Sequence, residues 1–146
     1  MPGPGPSARL AAQFKEVAPA MVPSDLRYTK DHEWVRVEGD EATVGITQYA
    51  ADQLGDIVFV ELPEVGRQVA QFATFGVVES VKAVSDLFAP VGGEVTATNG
   101  NLTAEPEAVN SDPYGSGWML RVRLSDPAQV DQLLDAPAYD ALTAAG

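Results

Sequence analysis

The sequence predicts a mainly β fold: a two-sheet β-sandwich with short helices, one of them at the C-terminus. Three observations carry this expectation. Short runs rich in valine, isoleucine and threonine recur from Glu33 to Leu124, separated by breaks that contain Gly, Pro and Asp. Several of these runs alternate apolar with polar residues, the period of a strand with one wet face. After Asp126 the period lengthens, with Val130, Leu133 and Leu134 at helical spacing. At 146 residues the chain suits one domain able to bury a core.

Taken in order, Met1-Pro2-Gly3-Pro4-Gly5-Pro6-Ser7 alternates proline with glycine and can neither continue a helix nor pair in a sheet. Residues 8–18 have the spacing of a short helix through Leu10, Phe14 and Val17. Residues 1–20 are therefore expected to be a disordered N-terminal extension, with the folded domain at 21–146. A targeting sequence would carry more arginine and serine and almost no acid. An expression remnant, or an upstream start with Met21 as the natural first residue, is the preferred expectation.

From Met21 onward the pattern is β. Glu33 to Val37 and Glu41 to Ile46 flank Glu38-Gly39-Asp40, a polar link with the glycine a hairpin needs. Thr47 is placed to cap a short helix from Gln48 to Leu54, ended by Gly55. Ile57 to Leu62 is a nearly continuous apolar run stopped by Pro63, which predicts a strand covered on both faces. Val69 to Val81 leads into Lys82, and Val84 to Thr98 leads out of it, with Pro90, Gly92 and Gly93 bending the return. Trp118, Leu120, Val122 and Leu124 alternate with Met119, Arg121 and Arg123, so the first set is expected in the core and the second in water. Asp126 then reads as an N-cap with Pro127 in the first helical position, and a further helical turn follows from Pro137 to Leu142.

Composition excludes several functions. The chain has no cysteine, hence no disulfide, thiol nucleophile or thiolate metal site. Twenty-one acidic against 9 basic residues give a net charge of −12, which repels nucleic-acid phosphates and anionic membranes. No apolar run approaches the roughly 20 residues that span a bilayer, so a soluble protein is expected. His32 is the only histidine and has no partner at helical spacing, so no metal site is predicted.

The chemistry concentrates in Glu79-Ser80-Val81-Lys82-Ala83-Val84-Ser85-Asp86. Lysine occurs only at positions 15, 30 and 82. Lys82 stands between β-forming runs, where small and charged residues mark a tight reversal, so its amine is held away from the core. A solubilising turn lysine is the plainer alternative. Glu79-x-x-Lys82-Ala83, with Pro90 and Gly93 downstream, resembles the hairpin of lipoyl carrier domains. A biotin carrier would show methionines beside the lysine, where this chain has Val81 and Ala83. His32-Glu33-Trp34, Val44-Gly45-Ile46-Thr47, Leu54 to Pro63, Val109-Asn110-Ser111-Asp112-Pro113-Tyr114 and Gly117-Trp118 narrow this further. In that order and spacing they closely resemble the H proteins of the glycine cleavage system, from about Val22 to Leu142.

That resemblance implies a barrel-sandwich hybrid of the lipoyl/biotinyl carrier type and a chain that is not itself an enzyme. It implies lipoate joined covalently to Lys82, which turns the amine into an amide, erases its charge and carries a dithiolane on a flexible stem. An exposed lysine amine is protonated near neutral pH, so an outside lipoylating ligase or transferase must supply an activated acyl group, and Glu79 is the residue such an enzyme would read. The arm would collect the aminomethyl group of glycine at a pyridoxal-phosphate-dependent glycine decarboxylase and pass it to a tetrahydrofolate-dependent aminomethyltransferase. A dihydrolipoyl dehydrogenase would then reoxidise it. Glu33 and Asp86 would line a cleft that shelters the loaded arm, their carboxylates pairing with its ammonium; an outward strand residue and a turn former are the plainer readings. Asp31 stands where some relatives have a small neutral residue. Tyr114 and Trp118 are expected to pack. The setting implied is the cytoplasm of a bacterium or the mitochondrial matrix of a eukaryote. The competing reading is an H-like relay that donates lipoyl groups to other proteins or serves a regulatory complex; a carrier domain of a 2-oxo acid dehydrogenase is a weaker third.

Overall fold

The computed structural model describes residues 22–145, so the expectation for residues 1–20 falls outside it. The chain forms β1 (Arg27–Tyr28), β2 (Glu33–Glu38), β3 (Glu41–Ile46), α1 (Gln48–Leu54), β4 (Ile57–Glu61), β5 (Gln68–Val69), β6 (Thr74–Ser80) and β7 (Val84–Phe88). It continues through β8 (Gly93–Thr98), α2 (Asn101–Ala104), α3 (Ala108–Ser111), β9 (Leu120–Leu124), a 3-10 helix (Pro127–Gln132) and α4 (Ala136–Ala145). Two antiparallel sheets result, six strands in the order β1-β2-β3-β9-β8-β5 and three in the order β4-β6-β7. This is the predicted two-sheet sandwich with short helices.

Local signals act where the sequence placed them. Glu38 pairs with Glu41 across Gly39-Asp40, and Gly39 takes the positive φ of 67° that the tight turn requires. Thr47 caps α1 by accepting from the Ala50 N–H, and the Gly55 N–H closes the helix on the Ala51 carbonyl. The main core lies between the sheets, with Val44, Ile57, Val78, Leu87, Val95 and Leu120 among its members. A second cluster, built on Tyr28, Trp34 and Tyr139, packs α4 against the six-stranded sheet.

Four expectations are corrected. β4 is not covered on both faces: it is an edge strand with a register shift between Ile57 and Phe59, so Ile57 and Val60 point inward while Val58 and Phe59 stand 52% and 48% exposed. Met119 is buried rather than wet, because it precedes β9 and is fixed from both sides, its N–H donating to Val44 O and its carbonyl accepting from Asn99 N. Trp118 is only partly buried, beneath the Arg121 guanidinium at 4.4 Å. The segment after Asp126 is a 3-10 helix that ends at Gln132, because Leu134 exchanges backbone hydrogen bonds with Tyr28 at 2.8 Å in each direction and cannot stay helical.

The fourth correction bears on function. Neither run flanking Lys82 is a single strand. β5 and β8 pair in the six-stranded sheet, Val69 opposite Gly93, whereas β6 and β7 pair in the three-stranded one. Both arms cross between the sheets at residues 70–73 and 89–92, tied by Phe72 N–H to Ala89 O and Ala89 N–H to Ala73 O. Gly93 permits this crossing, since a Cβ there would collide with the Arg123 carbonyl of the neighbouring strand.

Candidate functional site

Lys82 occupies the tip of the β6–β7 hairpin, and Ser80 builds the turn. The Ser80 N–H donates to Ala83 O at 2.8 Å, while its hydroxyl accepts from Lys82 N–H at 3.2 Å and Ala83 N–H at 3.1 Å. A further hydrogen bond, Val81 N–H to Asp56 O at 3.0 Å, anchors the tip to the connection between α1 and β4. The turn backbone is thus held from within and from the side, while the lysine side chain is exposed. Its stem passes close to Gly55, where a Cβ would make an ordinary contact with Lys82 Cε at 3.6 Å; the glycine answers instead to its positive φ of 81°. Among the described residues the Lys82 ammonium has no hydrogen bond or ion pair. Val81 and Val84 flank it at 68% and 69% exposure. A long acyl group would fit this amine, since nothing encloses it and no internal partner is lost when its charge goes.

The supporting residue that sequence reasoning left without a role is Asn110. Its amide donates to Gly55 O at 2.9 Å, and its oxygen accepts from Ile57 N–H at 2.9 Å. It therefore fixes the Gly55–Ile57 connection on which Val81 rests. The only signal was its place after the apolar Val109 in a quoted motif.

Glu79 and Asp86 share the outer face of the three-stranded sheet. Register places Phe59, Glu79 and Val84 in one row across it and Glu61, Val77 and Asp86 in the next. Glu79 is half-buried in the central strand and Asp86 is exposed.

Glu33 lies apart from these, 2% exposed at the start of β2. Its Oε1 accepts from the Thr29 hydroxyl at 2.6 Å and its Oε2 from the Phe88 N–H at 3.1 Å. It thereby ties the end of β7 to the six-stranded sheet, two residues beyond Asp86. Burial outweighs these two hydrogen bonds and pushes the Glu33 carboxyl up to about 7.

His32 is structural. It adopts a positive φ of 76°, and its Nδ1 lies 2.7 Å from the Tyr139 hydroxyl, which in turn meets the Thr47 hydroxyl at 2.8 Å. This links α4 to the cap of α1, and burial lowers the His32 pKa despite the nearby Asp31 carboxylate. Tyr114 and Trp118 pack against the Tyr28–Trp34 cluster, and the Tyr114 hydroxyl also accepts from the Gln48 N–H at 3.0 Å.

The sequence model of the glycine cleavage H-protein matches residues 26–145. The glycine cleavage system H protein of Symbiobacterium thermophilum is 61% identical over 127 residues, covering 87% of this chain and 99% of that one. That of Magnetococcus marinus is 63% identical over 120 residues, 82% of this chain and 86% of its own. Among solved structures, the H protein of Mycobacterium marinum superposes with a TM-score of 0.78 at 41% identity, over 84% of this chain and 99% of that chain. A protruding lysine turn on a two-sheet sandwich, and sequence agreement over nearly all the described residues, therefore have one common account: the chain belongs to the glycine cleavage H-protein family, the lipoyl carriers of the glycine cleavage system.

Proposed function

We propose that Lys82 is the lipoylated residue and that residues 21–146 act as a non-catalytic shuttle. The observation that carries this is the exposed ammonium, without a partner among the described residues, on a turn whose backbone is fixed by Ser80 and Asp56. Once deprotonated, the Lys82 amine attacks the acyl carbon of an activated lipoate; the amide forms as the activating group leaves with its bonding pair, and the lysine's proton passes to solvent. The bound group would supply a dithiolane disulfide, one sulfur able to accept an aminomethyl group as the other becomes a thiol, with reoxidation left to a separate dehydrogenase.

The chain's own contribution is placement. A stiff turn leaves the freedom of the tether to set the effective concentration at each partner. Those partners are, in this reading, the pyridoxal-phosphate-dependent decarboxylase, the tetrahydrofolate-dependent aminomethyltransferase, dihydrolipoyl dehydrogenase and a lipoylating ligase or transferase that reads Glu79. Asp86 is exposed on the strand that leaves the turn, four residues after Lys82, and offers a carboxylate to the ammonium of a loaded arm. Glu33 is the second carboxyl of this reading; buried against Thr29 and the Phe88 N–H, it fixes the end of the strand that carries Asp86. With bacterial relatives at about 60% identity, the cytoplasm is the compartment we adopt.

Expression with lipoate followed by intact-mass measurement and peptide mapping tests the site. Wild type gains one lipoyl group on Lys82, and Lys82→Arg folds normally, keeps its charge and gains none. The loaded wild type, but not the variant, supports glycine–bicarbonate exchange with the decarboxylase. Lipoate found on Lys30 or Lys15 overturns the assignment.

A further inference from the structure

Sheet edges invite added strands, and proteins close them by shortening, bulging or covering. Most edges here are closed. β1 and β5 are two residues long, and β1 is bridged to Leu134 on its far side. β4 carries a register shift, packs against α2 and has its Ile57 N–H taken by Asn110.

β7 is different. The Ser80 N–H bonds to Ala83 O, so Ser80 and Ala83 form a hydrogen-bonded pair. Such pairs alternate along an antiparallel ladder. Val78 and Ser85 therefore bond across, whereas Val84 and Asp86, opposite Glu79 and Val77, turn their N–H and C=O groups away from β6. The residues beyond agree with this phase: the Phe88 N–H points outward to Glu33, and the Ala89 N–H points inward to Ala73 O. Glu33 thus closes the edge at Phe88 and leaves it open at Val84 and Asp86, two and four residues from Lys82.

We infer that the open edge of β7 at Val84 and Asp86 is a strand-addition site for an extended, basic segment of the enzyme that acylates Lys82; this rests on the reading of Lys82 above. Main-chain hydrogen bonds to Val84 and Asp86 would hold the segment, as in other strand-addition complexes. Side chains set its chemistry. On the outer face the added strand meets the 69%-exposed Val84 and then the Asp86 carboxylate, with Glu79 one strand further in. An apolar residue followed two positions on by Lys or Arg fits that order. A second copy of this chain does not, because it brings its own acid to Asp86 and another −12 of charge.

The Asp86 N–H serves no bond within the hairpin, so Asp86→Pro removes the outward donor from an edge position where proline is tolerated. Asp86→Ala removes the same carboxylate and keeps the N–H. With a lipoate–protein ligase, lipoate and ATP, followed by intact mass over time, the proline variant is expected to show a kcat/KM at least tenfold below that of the alanine variant. Equal values, with both variants folded by circular dichroism, overturn the inference while leaving Lys82 lipoylation intact; a wild type that takes up no lipoate overturns the Lys82 reading itself. If proline unfolds the hairpin, amide exchange of the Lys82→Arg chain saturated with ligase decides: exchange at Val84 and Asp86 slows at least tenfold, and unchanged exchange at both overturns the inference. Sedimentation showing a wild-type dimer that Asp86→Pro makes monomeric also overturns it, by giving the edge to a second copy.

Discussion

A carboxyl group 2% exposed, with its two oxygens accepting from Thr29 and Phe88, makes Glu33 the residue whose ionisation and fold are most tightly bound together. Its folded pKa of about 7 lies above the ordinary glutamate value of 4.5. Between those two values the folded chain holds a proton that the unfolded chain has released, so stability is full below about 4.5 and falls as pH rises towards 7. Glu33→Gln cannot titrate. Denaturant unfolding of both proteins from pH 4.5 to 8 should show the stability of the glutamine variant, measured relative to wild type, rising by on the order of 1–3 kcal/mol across that window. Groups common to both proteins cancel in the difference. Parallel profiles would mean that Glu33 stays charged throughout. Sequence pointed to Glu33 as a cleft residue but gave no sign of its burial, because a glutamate before Trp34 reads the same whether it faces water or the Phe88 backbone.

The elements best read from sequence are those whose causes are local. Gly39 between two alternating runs specified the β2–β3 hairpin, and Thr47 with Gly55 bounded α1, because each signal acts within its own few residues. What escaped was set by partners distant in sequence. Whether Ile57–Glu61 is central or at an edge depends on how many strands flank it, and the 3-10 helix stops where Tyr28, over a hundred residues earlier, takes the Leu134 backbone. Asn110 is a similar case, since its importance lies in Gly55 and Ile57. Asn110→Ala leaves the Ile57 N–H and the Gly55 carbonyl unpaired, at a cost of roughly 1–3 kcal/mol for each group that water cannot reach. The expected outcome is a lower melting temperature together with slower lipoylation of Lys82, because Val81 hangs on the same connection. A stable variant lipoylated at the wild-type rate would show that Ser80 alone holds the turn.

At the scale of the whole molecule the dominant property is charge. A net −12 spread over a small sandwich, with Glu61, Glu79 and Asp86 on the face beside Lys82, produces a field felt well before contact. Lipoate on Lys82, as proposed, would deepen it by removing one of only nine basic side chains. A carrier that visits several enzymes in turn gains more from fast encounter than from tight binding, and long-range attraction to basic entrances raises encounter rates without adding a contact that must later be broken. Such steering weakens as salt shortens the screening distance, from about 30 Å at 0.01 M to about 8 Å at 0.15 M. The apparent KM of glycine decarboxylase for the lipoylated chain should therefore rise several-fold between those ionic strengths, with kcat little changed. Glu61→Gln lies on the same face outside the turn and should flatten the dependence without altering lipoylation at Lys82. A KM independent of salt would show that the acidic surface only keeps the chain dispersed in water, and that docking relies on short-range contacts around the hairpin.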